Sequence, residues 1–452
     1  MPDLLAELRR RLPDDCIQTD ADVTASYSQD RALFESAGTA VALVMPRTTD
    51  HVVAAVHAAN ACNVPIVPRG AGTGLTGAAN ASDGCLIVSM HRMNEILDID
   101  TTNRMARVQP GVINADLKAA VAEHGLFYPP DPASVDMSSI GGNVATNAGG
   151  LCCVRYGVTR DYVIGLEVVL ASGEVLHTGR DTLKATTGLE LTGLFVGSEG
   201  LLGVVTEITV KLVPAPSPPA TAVAFFDQLA PAGAAIAEVF TAGHEPTMME
   251  ILDRASISYV DAAYHMDLDL DAACLLLIQT DDEPSIDAIG RICEAHGATS
   301  VYRASDQTEG DMLVEARRRV WPALERLGKT LLPEDVAVRR ERLPELLQGI
   351  VDIGDRFDVE LATIVHAGDG NMHPIFIIDP NDADEIERAK QAFGAILELA
   401  IALGGTIAGE HGVGTLKRAY IDLELDPVQL ATQRTIKHAL DPHGRFNPGK
   451  AL

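Results

Sequence analysis

Residues 64–77 read VPIVPRGAGTGLTG, a short apolar run followed by a loop with four glycines. Successive backbone N–H groups laid bare by glycine can form a concavity for a pyrophosphate, which needs several donors and tolerates no Cβ nearby. The loop lacks the lysine pattern of a Walker sequence. Gly72, Gly74 and Gly77 are spaced as G-x-G-x-x-G, but the next element is the strand at 86–90 and not the helix that a dinucleotide fingerprint opens, so neither ATP nor NAD is its natural ligand. Taken alone, such a loop is equally a plain turn.

Working outward, AVALVM at 40–45, a helix from Thr49 to Cys62 ending at Asn63, and VPIV at 64–67 form the opening of a βαβ unit. LIVSM at 86–90, EILDID at 95–100 and RMARVQPG at 104–111 continue as strands, and Asn114–His124 reads as a helix stopped by Gly125. A Gly/Ala/Asn-rich region from Ser138 leads into two strands joined by the turn Ala171-Ser172-Gly173. The Pro-rich segment Pro214–Ala220 breaks the periodicity and marks the main internal boundary. Beyond it, AVAFFD, a helix near 229–241, CLLLIQTDD and a helix near 284–296 predict an α+β sheet with helices on one face. The tail, from about residue 425, holds a helix to His438.

A length of 452 residues exceeds one typical domain, and 47% hydrophobic with 22% charged residues is a globular composition. The excess of 63 acidic over 35 basic residues, a formal charge of −28, repels nucleic acid and anionic lipid at long range. A nucleic-acid role is therefore disfavoured. MPDLLAELRRRLPDD at the start is an amphipathic helix without a signal-peptide core, and no uninterrupted apolar run approaches ~20 residues. The expectation is a soluble cytoplasmic protein, not integral to a membrane. Seven cysteines with no CxxC pair fit a reducing compartment, and Cys152-Cys153 reads as two buried small residues.

A second stretch carries chemistry. In ELATIVHAGDGNMHP, residues 360–374, an apolar run ends in His366, a Gly-Asp-Gly-Asn turn signal follows, and PIFII begins just after His373. That is the pattern of a β-hairpin with both histidines near its mouth. Glu410 and His411 sit between glycines in GEHGVG at 409–414, so four groups able to bind a metal or move a proton could converge. Arg317, Arg318 and Arg319 form a cluster that could draw in a small anion, or could be a solvated helix face.

PRGAGTGLTG at 68–77, DPAS at 131–134 followed by SSIGGNVATNAGG at 138–150, and VGSEGLLGVVTEITVKL at 196–212 resemble the FAD-binding domain of the vanillyl-alcohol oxidase and p-cresol methylhydroxylase superfamily. HAGDGNMH, GEHGVG and NPGK at 447–450 resemble the branch of FAD-dependent D-2-hydroxy-acid dehydrogenases, which contains D-lactate dehydrogenases, glycolate oxidase catalytic subunits and D-2-hydroxyglutarate dehydrogenases. The resemblance implies an α+β fold: a two-part FAD-binding domain over residues 1–213, an antiparallel-sheet substrate domain over 214–424, and a tail, 425–452, returning to the first. It places Pro68, Arg69, Gly70, Ala71, Gly72, Thr73, Gly74, Leu75 and Gly77 at the pyrophosphate, and Asp131, Ser134, Gly142, Asn147 and Gly150 along the ribityl chain and flavin. Glu199, Gly203 and Val205 would close over the cofactor, and Asn447 would return toward the isoalloxazine. The glycine loop has no histidine, so noncovalent FAD is expected, with His51, His57 and His91 at the surface.

By the same resemblance His366, His373 and Glu410 would bind a divalent metal, zinc or manganese, and Arg317 would hold the substrate carboxylate. His411 would take the hydroxyl proton as hydride leaves Cα for flavin N5, giving a 2-oxo acid; the Glu410–His411 pair could instead place both residues on the metal. PEDVAVRR at 333–340 resembles a segment that carries a substrate lysine in the hydroxyglutarate enzymes, but Pro333 stands at that position. D-lactate or glycolate is therefore expected over D-2-hydroxyglutarate, and a non-redox flavin transferase and a flavoprotein scaffold subunit are the competing readings. The electron acceptor is left open among a quinone, an electron-transfer flavoprotein, a cytochrome and oxygen, and a homodimer is compatible with all of this.

Overall fold

The computed structural model describes residues 3–182 and 184–452. They fall into two compact units: Met1–Gly149 with Val158–Ala215 and Glu410–Leu452, and Gly150–Gly157 with Pro216–Gly409. The crossing at Ala215/Pro216 lies inside the Pro-rich segment. The return lies at Gly409/Glu410, ahead of residue 425, and Gly150–Gly157 groups with the second unit.

In the first unit β1 (Ile17–Gln18), β2 (Ala42–Val44), β3 (Ile66–Arg69) and β4 (Leu86–Ser89) form a sheet in the order β1-β2-β4-β3, with β2 and β3 both parallel to β4. The crossover from β2 to β3 is the helix Thr49–Cys62. Thr48 caps its start by accepting from the His51 N–H, and Asn63 ends it in the left-handed region at φ 61°. Every residue of β4 is buried, as a central parallel strand requires. β5 (Ile96–Asp100), β6 (Met105–Val108) and, beyond the short β7 (Leu126–Phe127), β8 (Val163–Val169), β9 (Val175–Gly179) and β10 (Val204–Lys211) make a five-stranded antiparallel sheet in the order β5-β6-β10-β8-β9. β7 pairs with β11 (Val213–Pro214).

The second unit is built on β12 (Ala220–Phe226), β13 (Met248–Asp253), β14 (Cys274–Thr280), β15 (Ser300–Arg303), β16 (Thr330–Pro333), β17 (Val336–Ala337), β18 (Leu361–His366) and β19 (Asn371–Ile378). They run β15-β12-β14-β13-β18-β19-β16, all antiparallel, with β17 also on β19. The expectation of helices on one face is corrected here: helices pack on both. Gly310, in the helix Gln307–Arg318, lies against Thr221, whereas Gly290, in the helix Glu283–Ala295, lies against Val301, which pairs with Ala224 on the opposite face. β13, β14 and β19 are buried at every residue, so neither face is left to solvent. The unbroken apolar text of CLLLIQT carries that signal.

β18 and β19 are the expected hairpin, with His366 opposite Asn371 and Ile364 opposite His373. The connection Ala367–Gly370 closes on the His366 carbonyl, which accepts from the N–H of Gly370 at 2.9 Å. Gly370 sits at φ +90°, and a Cβ there would run into the Val338 carbonyl. Cys152 and Cys153 are half-buried thiols. His57 and His91 are exposed, and His51 is half-buried with Nδ1 at 3.6 Å from Cys16 Sγ. Among the described residues no helix is long and apolar enough to cross a membrane.

Gly370→Ala therefore meets both a disfavoured φ and a backbone oxygen, and should cost on the order of 1–3 kcal/mol. Gly404, at φ +76° with nothing within 4 Å of its Cβ position, is the control for the dihedral alone. Thermal melts should show Gly370→Ala falling clearly below Gly404→Ala; equal midpoints would mean that the Val338 contact does not hold the turn.

Candidate functional site

The hairpin register puts His366 and His373 on one face, because the residue opposite His366 lies two positions before His373. Their rings meet edge to face, with centroids 5.1 Å apart, and both side chains are buried. Each turns Nδ1 toward an acceptor. His366 Nδ1 is 2.7 Å from Glu250 Oε1, and His373 Nδ1 is 3.3 Å from the Glu334 carbonyl and 3.8 Å from Asp335 Oδ1. Acceptors at Nδ1 are the usual arrangement behind a metal-bound histidine. This donor set suits a divalent ion.

Arg317, at the end of the helix Gln307–Arg318, is buried and donates from Nε to Glu250 Oε2 at 2.8 Å. Its neighbours behave otherwise. Arg318 is exposed, and Arg319 pairs with Glu315 at 2.9 Å and lies over the Tyr264 ring. Arg339 is exposed and Pro333 is buried at the end of β16. Asn371 donates from Nδ2 to Asp335 Oδ1 at 2.8 Å, and Gly409 packs directly on these two side chains, leaving no room for a Cβ. Glu250 and Asp335 are the residues that the sequence reading missed. The available signal for Glu250 was a lone acid inside the apolar run MMEIL at 248–252, since a buried charge demands a partner.

In the first unit Pro68 and Arg69 end β3, and the glycine loop follows. Arg69 turns inward, donating to the carbonyls of Gln29 (2.9 Å) and Ala79 (3.4 Å). From Gly72 to Leu75 the backbone N–H groups donate to no acceptor among the described residues, although these residues are not fully exposed. That row of donors fits a pyrophosphate. Asp131 pairs with Lys118 at 3.4 Å, the Ser134 carbonyl accepts from the N–H groups of Met137 and Ser138, Gly142 lies in the helix Ile140–Thr146, and Asn147 caps that helix. Gly203 packs on Val168, and Val205 pairs with Val168 in the sheet. Gly150 lies in the second unit.

Glu199 and Asn447 serve the protein's own backbone. The Glu199 carboxylate accepts from the N–H groups of Val413 (2.9 Å) and Gly414 (2.8 Å), and burial pushes its carboxyl above the usual range against the pull of those two amides. Asn447 donates to the Glu199 carbonyl at 2.7 Å, and the Thr76 carbonyl accepts from Thr415 (2.9 Å) and Leu416 (3.1 Å). The segment carrying Glu410 and His411 is thus tied to the glycine loop and the tail within one unit. Glu410 Oε1 and His411 Nε2 are 4.0 Å apart.

Residues 40–179 match the family model "FAD binding domain", and residues 215–451 match "FAD linked oxidases, C-terminal domain". The chain is 43% identical over 414 residues to the glycolate oxidase subunit GlcD of Bacillus subtilis (strain 168), covering 90% of this chain and 88% of that one. It is 31% identical to a D-lactate dehydrogenase of Anaerostipes hadrus, over 99% and 97% of the two chains. Among solved structures, p-cresol methylhydroxylase with substrate bound superposes with a TM-score of 0.82 over 99% of this chain and 96% of that one, at 18% identity, a likeness of fold.

Lys450, 4% exposed, completes the clasp by donating to the carbonyls of Ala78 (2.9 Å) and Asn80 and to Asn447 Oδ1 (3.2 Å). Burial pulls its pKa down from 10.5 to about 8, against the favourable charges of Asp30 and Glu199. Between about 8 and 10.5 the unfolded chain keeps a proton that the fold has released, so stability rises with pH across that window, and the penalty is complete below it. The difference in thermal midpoint between wild type and Lys450→Met isolates this residue. It should shift in favour of wild type as pH rises through the window, and a pH-independent difference would show that Lys450 does not titrate there.

Proposed function

The chain belongs to the FAD-linked oxidases and is an FAD-linked oxidoreductase; from that membership we propose that it oxidises a small D-2-hydroxy acid, D-lactate or glycolate, to the 2-oxo acid. The observation that carries the reading is the buried pair His366 and His373, each with an acceptor at Nδ1, where His366 shares its acceptor Glu250 with Arg317. An oxidation that needed only flavin would have no use for two imidazoles oriented in this way.

Arg317 holds the substrate carboxylate. Its Nε is committed to Glu250, which fixes the guanidinium plane and leaves the terminal nitrogens as the edge for a planar anion. When bound, FAD would supply the hydride acceptor for Cα, and a divalent ion, zinc or manganese, would make the substrate hydroxyl more acidic. His366 and His373 would supply two ligands to that ion and Glu410 the third. Chain continuity supports Glu410: it follows Gly409, which is packed against Asn371 and Asp335 beside His373. His411 takes the hydroxyl proton, the role suited to a histidine next to the ligand set. The unpartnered amides of Gly72–Leu75 support noncovalent FAD on the glycine loop. Pro333 offers no cation for a second carboxylate, which favours monocarboxylate substrates.

Purified enzyme loaded with FAD and metal should bleach its flavin with D-lactate or glycolate and turn over with an artificial acceptor dye. No bleaching by any D-2-hydroxy acid would sink the proposal. His411→Ala should keep FAD and metal while flavin reduction slows by about 10²–10⁴-fold. His366→Ala should lose the metal itself; equal metal loss in both variants would move His411 into the ligand set.

A further inference from the structure

Glu250 touches both Arg317 and His366, the two side chains on which the proposed function rests. It is fully buried at the centre of β13, directly opposite His366 in the ladder, and each carboxylate oxygen has one partner: Oε2 faces Arg317 Nε at 2.8 Å and Oε1 faces His366 Nδ1 at 2.7 Å. We propose that Glu250 is the positioning residue that sets the tautomer of His366 and locks the guanidinium of Arg317, so that one side chain aligns the metal ligand and the carboxylate clamp. The inference rests on the reading of His366 as a ligand.

The direction of both contacts follows from donor and acceptor chemistry. Arginine only donates, and an ionised carboxylate only accepts. Oε2 accepts from Arg317 Nε and Oε1 is left to accept from His366, so the proton between Glu250 and His366 belongs to the imidazole Nδ1. The lone pair is then on Nε2. A neutral imidazole with its proton on Nδ1 is the form that can ligate through Nε2.

A glutamine in the same place has one accepting oxygen and one donating nitrogen. Arg317 can use only the oxygen, so the amide NH₂ is turned on His366 Nδ1. That contact is satisfied only if the imidazole proton moves to Nε2, where it blocks ligation. Aspartate keeps the acceptor-only chemistry on both oxygens.

The test uses the full chain loaded with FAD, stripped of metal and held at mildly alkaline pH. Nitrogen-15 spectra of labelled imidazoles, with His366 assigned by its loss in His366→Asn, should show the Nδ1–H form in wild type and the Nε2–H form in Glu250→Gln. Zinc titration should then show Glu250→Gln binding about 10–100-fold more weakly than wild type, with FAD content retained. A wild type in the Nε2–H form, or equal zinc affinity in the two proteins, overturns the inference. Should Glu250→Gln fail to fold, the wild-type spectrum and Glu250→Asp decide: Glu250→Asp should retain the Nδ1–H form, and an Nε2–H form there overturns the inference equally. A wild type that binds no zinc overturns the metal reading of the preceding section as well, whereas equal affinity in Glu250→Gln leaves that reading standing.

Discussion

A carboxylate with no solvent exposure in the middle of a β-sheet is the constraint around which the second unit is arranged. Glu250 is tolerable there only because both oxygens are used, and removing one partner of a buried ion pair typically costs about 3–5 kcal/mol. The partners come from far along the chain, Arg317 at a separation of 67 residues and His366 at 116. Meeting that demand fixes where the helix Gln307–Arg318 ends against the sheet and how β18 registers with β13. A requirement of desolvated charge thereby becomes an alignment of functional groups.

The first unit has its own version of the same physics. Glu199 takes the N–H groups of Val413 and Gly414, Asn447 takes the carbonyl of Glu199, and Lys450 takes the carbonyls of Ala78 and Asn80. These contacts bind the end of the chain to the residues just after the glycine loop and hold the GEHGVG segment at Val413 and Gly414. Side chains that resemble cofactor contacts in sequence turn out to be engaged with backbone. What the glycine loop offers a pyrophosphate is its main-chain donors.

Local structure was readable where the signal is local. The hairpin follows from two apolar runs and a Gly-Asp-Gly turn, and the helix Thr49–Cys62 from its threonine cap and Asn63 stop. The helices on both faces of the large sheet were missed, although the unbroken apolar run of β14 is the pattern of a strand with no wet face. Glu250, Asp335 and the duties of Glu199 were out of reach for a different reason. Each is defined by a partner dozens to hundreds of residues away, and a single acid in an apolar run says that a partner exists without saying which.

The central claim is that the hairpin histidines of this strongly acidic protein hold a metal for hydroxy-acid chemistry. X-ray absorption on zinc-loaded, FAD-replete enzyme separates that site from adventitious binding to surface carboxylates. The account predicts a low-coordinate shell at about 2.0–2.1 Å with the outer-shell scattering of two imidazoles, altered on adding D-lactate. An oxygen-only shell without imidazole scattering, unchanged by any 2-hydroxy acid, would contradict it.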